Sequence, residues 1–226
     1  MPDVFVWGPF IIKQSWILIA GSCLAAYWAA KFRVRGGGKG AESVLETLVN
    51  LSILAVFIWK GSLILFHPMS VIDNPYVLLY FSGGVRGVWL ALAVALLLLY
   101  IRARKANISI WIYADVLTVA FLAFRSVYHV LALVAAPGST AIVFHVSHIA
   151  VSALLLAWFA RNRNHFGHPE ELLQMLLWFS IGQIFTGFFA VTRTSAALGL
   201  TWEQLLFLTL ALLCILVSIY KHRSRL

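Results

Sequence analysis

The sequence predicts an all-α integral membrane protein, a bundle of seven transmembrane helices with its N-terminus outside and its C-terminus in the cytoplasm. Three observations lead there. The composition is 62% hydrophobic and 11% charged, with a mean hydropathy of +0.92; a soluble domain of 226 residues would leave large apolar patches in water on that composition. Apolar segments near the length needed to cross ~30 Å of hydrocarbon occur seven times, at roughly 14–32, 44–66, 86–102, 110–134, 140–160, 171–192 and 202–220. Basic residues then collect at alternate ends of these segments, the pattern of the positive-inside rule. Residues 1–226 are expected to form a single membrane domain, helical because lipid leaves no other partner for the backbone of such runs.

The stretch Met1 to Phe10 lacks the basic start of a cleavable signal, so the first span is expected to stay in the protein. Lys31, Arg33, Arg35 and Lys39 follow that span, and Arg102, Arg104 and Lys105 follow the third. Arg161 and Arg163 follow the fifth, and Lys221, Arg223 and Arg225 follow the seventh, so twelve of the 17 Lys and Arg residues fall on one side. Lys13, Arg86 and Arg193 fall on the other, while Lys60 and Arg125 lie within spans. The formal net charge of +9 is thereby read as topology, and no nucleic-acid partner is needed to account for it. Gly36 to Gly40 is a cytoplasmic loop and not a phosphate loop, since no strand precedes it and the Gly-Lys-Ser/Thr ending is missing. Cys23 and Cys214 lie inside apolar runs and read as packing residues.

Before the third span, Phe81-Ser82-Gly83-Gly84-Val85-Arg86-Gly87 follows an Asn74-Pro75 turn. Three glycines in five residues leave the backbone bare. That suits either a close helix–helix contact or the approach of a ligand, with Ser82 and Arg86 beside it at the outer edge of the membrane.

Ionisable residues inside lipid are functional hypotheses by default. Arg125 and His129 are four apart on the fourth span and share a face. His145 and His148 are three apart on the fifth, just past the short turn Ala136 to Ser139. With Lys60, Arg86 and Arg193 they are expected at one depth on the outer side. A cationic, histidine-lined pocket there suits an anionic lipid headgroup, with Arg forking a phosphate. Three alternatives stay open. Arg and Lys can snorkel to the interface while the histidines bond neighbouring helices. His129, His145 and His148 can ligate zinc, copper or haem. Ser82 or Ser147 can pair with a histidine as nucleophile, although no acid lies near to orient it. On the cytoplasmic half, Glu46, Asn50 and Asp115 are expected to pair across the second and fourth spans.

Along its whole length the chain resembles the bacterial prolipoprotein diacylglyceryl transferase family. The likeness is carried by Gly8-Pro9-Phe10 with the first span from Gln14 to Leu24, and by Leu65 to Gly84 with Asn74-Pro75 leading into Phe81-Ser82-Gly83-Gly84. It continues in Ile112 to Leu117, which looks like the Leu-Ala-Asp-Leu-Leu opening of the family's fourth span, and in Ser180 to Leu213 with Gly199-Leu200-Thr201 and Gln204-Leu205-Leu206. The resemblance implies a seven-span scaffold, N-terminus out, in the bacterial cytoplasmic membrane. It also implies phosphatidylglycerol as lipid and a lipoprotein precursor as partner. Departures are visible: Ser82 stands where the family has an essential histidine, and Trp16 where a tyrosine is expected. Arg125-Ser126-Val127-Tyr128-His129 occupies the neighbourhood of a missing Arg-x-Gly-Asn-Phe signature, and Gln183 and Gly187 replace an arginine and its glutamate partner. The expected function is therefore binding of an anionic, phosphatidylglycerol-like phospholipid, or of a membrane partner. Lys60, Ser82, Gly83, Gly84, Arg86, Arg125 and Arg193 would lie at the headgroup, with no cofactor and no metal. An active transferase drawing on His129, His145, His148 or Ser82 is the alternative, and a histidine-ligated metal or haem protein the second alternative.

Overall fold

The computed structural model describes residues 4–7, 10–35, 40–74, 83–135, 141–161, 166–190, 196 and 199–223. Among the described residues there are eight helices: α1 (Gln14–Val34), α2 (Ala41–Phe66), α3 (Pro68–Asp73), α4 (Gly84–Ala106), α5 (Ile110–Ala135), α6 (Ile142–Arg161), α7 (Pro169–Gly187) and α8 (Trp202–Arg223). Six of them, α1, α2, α4, α5, α6 and α8, are long and apolar enough to cross a membrane, as in a multi-pass membrane protein. The segment expected at 171–192 is helical over Pro169–Gly187, but Glu170 and Glu171 in its first turn, with Gln174 and Gln183 further on, lower its apolar content. Ahead of α1 lies an element that the sequence reading did not foresee. It is an antiparallel hairpin of β1 (Val4–Trp7) and β2 (Phe10–Lys13), registered Val4 against Lys13 and Trp7 against Phe10.

Helix ends follow the local sequence. Pro169 sits at the start of α7, where a missing N–H costs nothing, and the two glutamates behind it complement the helix dipole. α4 ends on Asn107 in the left-handed conformation (φ 53°), whose N–H reaches back to the carbonyls of Ala103 and Arg104. One turn earlier, Arg104 bonds the Tyr100 hydroxyl through Nη2 at 2.9 Å.

The chain divides into two compact units, one of residues 38–113 and one of residues 1–37 with 114–226. In the smaller unit α2 packs against α4. Gly83 and Gly87 make that contact possible: a Cβ on either would run into the Ser62 hydroxyl, and one on Gly83 also into the Trp59 carbonyl. Gly84 opens α4 at φ +61°, a conformation that favours glycine, and its carbonyl accepts a hydrogen bond from Trp59 Nε1 at 3.3 Å.

The larger unit is centred on α5, α6 and α7, whose Val119, Leu122, Leu155, Phe159, Leu172, Met175 and Phe179 form one buried apolar cluster. Its pattern is that of a protein in lipid. Ser22, Ser152 and Ser180 are fully buried, whereas Leu154 is 71% exposed and Phe185 57%. Ser22 and Ser180 bond the carbonyl one turn back, at 2.7 Å each, so their hydroxyls need no partner from another helix.

Candidate functional site

α5 presents Asp115 near its start, then Arg125 and His129 one turn apart towards its end. α6 presents His145 and His148 in its first two turns and Phe159 near its end. The larger unit thus holds two polar layers, one at each end of these helices.

The first layer is built on Asp115, whereas Glu46 and Asn50, expected as its partners, belong to the smaller unit. Asp115 takes a bidentate bond from Arg33 at the end of α1, Nε to Oδ1 at 2.8 Å and Nη2 to Oδ2 at 2.9 Å. Arg33, which by sequence alone follows the first span as a topological charge, is here an interior residue. It is 7% exposed and Asp115 3%, so the pair is an interior one. Its remaining polar atoms are also engaged. Arg33 Nη1 donates to the Phe159 carbonyl at 3.2 Å, the Gly167 N–H donates to Asp115 Oδ2 at 2.9 Å, and the guanidinium lies over the rings of Phe159 and Phe166.

At the second layer the structure brings Arg125, His129, His145 and His148 together and adds Gln183 from α7. Arg125 Nη2 meets His148 Nδ1 at 2.9 Å and Gln183 Oε1 at 3.0 Å. A guanidinium has only donors, so His148 Nδ1 accepts, which places that ring's proton on Nε2. His129 stacks on His148, centroids 4.4 Å apart and planes at 3°, and its Nδ1 lies 2.9 Å from His145 Nδ1. That contact accommodates a single proton between the two rings. Phe144 packs edge-on against His148 and His129. His129, His148 and Gln183 are each less than a tenth exposed, and Arg125 is half-buried.

Parallel stacking keeps the lone pairs of His129 and His148 from converging. No group of three His, Cys, Asp or Glu among the described residues is placed to hold a metal ion. The nucleophile pairing fares no better for Ser147, whose hydroxyl bonds the Phe144 carbonyl at 2.9 Å.

A cavity of about 790 Å³ opens beside Arg125, His148 and Gln183, lined also by Thr201, Glu203 and Gln204 at the start of α8. Two of the lining residues each hold a buried donor, Arg125 Nε and Gln183 Nε2, with no hydrogen-bond partner among the described residues. Thr201 and Gln204 form a capping box: the Gln204 N–H reaches Thr201 Oγ1 at 3.3 Å and the Thr201 N–H reaches Gln204 Oε1 at 2.9 Å. Gln204 Nε2 then bonds the Ile184 carbonyl at 2.9 Å, tying α8 to the end of α7. Gly187 leaves the room for this, because a Cβ there would stand 2.8–3.0 Å from the Gln204 side chain.

Of the other expected headgroup residues, Lys60, Gly83, Gly84 and Arg86 belong to the smaller unit, with Arg86 exposed on the first turn of α4. Gly83 is spent on helix packing. Ser82 and Arg193 lie outside the described residues. The reading of the residues gave no role to Gln183, noted only as a departure from the family, or to Gln204. Thr201-x-x-Gln204 is a legible capping signature, while nothing in the sequence marks Gln183 as facing Arg125.

Compared with protein-family models and with curated proteins, the chain matches none of them.

Proposed function

We propose that this protein binds the headgroup of an anionic phospholipid, of the phosphatidylglycerol kind, in the cavity beside Arg125, His148 and Gln183. The observation that carries the reading is that two residues lining this cavity, Arg125 and Gln183, each hold a buried donor, Arg125 Nε and Gln183 Nε2, that no described protein group satisfies. A buried donor left without an acceptor costs about 1–3 kcal/mol, and a phosphate supplies both the missing acceptors and the counter-charge that Arg125 lacks. Arginine suits the task because its planar fork matches two phosphate oxygens at once. The likeness to the diacylglyceryl transferases enters as scaffold and as lipid class. The proposal is of binding and not of transfer.

In this reading α7 is also a span, the sixth of seven in chain order, the N-terminus is outside and the C-terminus is in the cytoplasm of a bacterium. Support for α7 comes from its sidedness: Ser180, Gln183 and Thr186 are buried, while Trp178, Ile181 and Phe185 are turned outward. The distribution of basic residues supports the orientation. A reporter fused after Arg225 should be active only as a cytoplasmic fusion, and the opposite pattern would sink the topology. For the site, native mass spectrometry of protein purified in mild detergent should show retained phosphatidylglycerol. Arg125→Gln should lose it by about 10- to 100-fold, the worth of a hydrogen bond to a charged group. Equal retention by the two proteins would end the proposal.

A further inference from the structure

The two ends of the cavity differ in chemistry. The unpartnered groups of Arg125 and Gln183 are donors, since a guanidinium has no acceptor and the Gln183 oxygen already accepts from Arg125. At the α8 end stands a carboxylate, Glu203, an acceptor only when ionised. Both residues line the cavity, yet no ion pair closes between Glu203 and Arg125 among the described residues. A glutamate in the first turn of α8 also complements the helix dipole. That accounts for an acid at the position, but not for one that lines the same cavity as the orphaned donors.

We infer that Glu203 is a specificity-determining residue: the cavity takes a phosphodiester whose phosphate lies on Arg125 and Gln183 and whose far arm carries a hydrogen-bond donor, hydroxyl or ammonium, to Glu203. The inference rests on the headgroup reading above and narrows it. A phosphomonoester fits poorly on two counts. It has no arm to reach Glu203, and its second negative charge faces the carboxylate, where like charges repel.

The test uses the full chain in detergent, challenged in turn with phosphatidylglycerol, phosphatidylethanolamine and phosphatidic acid of matched acyl chains, with binding read by native mass spectrometry. The first two should be retained roughly fivefold better than phosphatidic acid, the scale of one exposed charge interaction. Glu203→Gln should bring the three close together, and Glu203→Lys should reverse the order by giving the monoester a counter-charge. Phosphatidic acid bound as well as the diesters, or a ratio unmoved by both substitutions, overturns the role of Glu203 while leaving the headgroup site standing. Retention of none of the three overturns the headgroup site together with this inference.

Discussion

The two polar layers of the larger unit use the same residue type to opposite ends. Arg33 meets a carboxylate head-on, and every oxygen and nitrogen of that cluster for which a bond is seen points at another protein atom. Arg125 meets a histidine nitrogen and an amide oxygen, both neutral acceptors, keeps a buried Nε unpartnered, and lines a cavity. A charge that is balanced and saturated holds helices together and offers a ligand nothing. A charge that is neither is an unfinished site. Where both occur in one bundle, saturation rather than residue type separates architecture from binding.

That contrast can be broken by measurement. The largest effect is expected at the closed layer. Asp115→Asn leaves Arg33 buried without its counter-charge and should lower unfolding stability in detergent by about 3–5 kcal/mol, with lipid retention falling only as the fold does. A variant that unfolds like the parent would show the Arg33 layer to be dispensable. An intermediate effect is expected at Gly187→Ala, where the new Cβ meets Gln204 at 2.8–3.0 Å. Overpacking of this kind costs about 1–3 kcal/mol, and because the displaced side chain lines the cavity, lipid retention should drop with it. The smallest stability change belongs to Arg125→Gln, within about 1 kcal/mol, since losing two hydrogen bonds is offset by no longer desolvating a charge that has no carboxylate against it. Stability nearly intact and lipid lost is the signature that the contrast demands of the open layer. The reverse pattern, Arg125→Gln more damaging to the fold than Asp115→Asn, would exchange the roles of the two layers.

How much of this the sequence discloses depends on the range of the interaction. Long apolar runs announce helices because each is a local pattern, and α2, α4, α5, α6 and α8 begin and end within a few residues of their expected limits. Spacing on a single helix is legible too: Arg125 with His129, and His145 with His148, share faces by arithmetic alone, and the short α5–α6 connection brings the two pairs together. Partners drawn from distant helices are not legible. Arg33 lies 82 residues from Asp115 and looked like any other basic residue after a span. Gln183 lies 58 residues from Arg125, and its facing depends on how α7 is rotated. The glycines of 83–87 show the remaining ambiguity, because a bare backbone invites a ligand and a neighbouring helix equally. Here Gly83 and Gly87 answer to Ser62.

Synthesising this chain is a different problem from holding it folded. Helices α1, α2, α4, α5, α6 and α8 each carry enough apolar surface to leave the translocon for lipid as they emerge. α7 does not: it enters with two glutamates in its first turn and two glutamines behind them. Its polar groups are neutralised by company, Gln183 by Arg125 of α5 and the Ile184 carbonyl by Gln204 of α8. The first of those partners is made before α7 and the second after it. On the proposed seven-span reading, the helix that lines the cavity with Gln183 is thus the one whose insertion draws on partners made both before and after it.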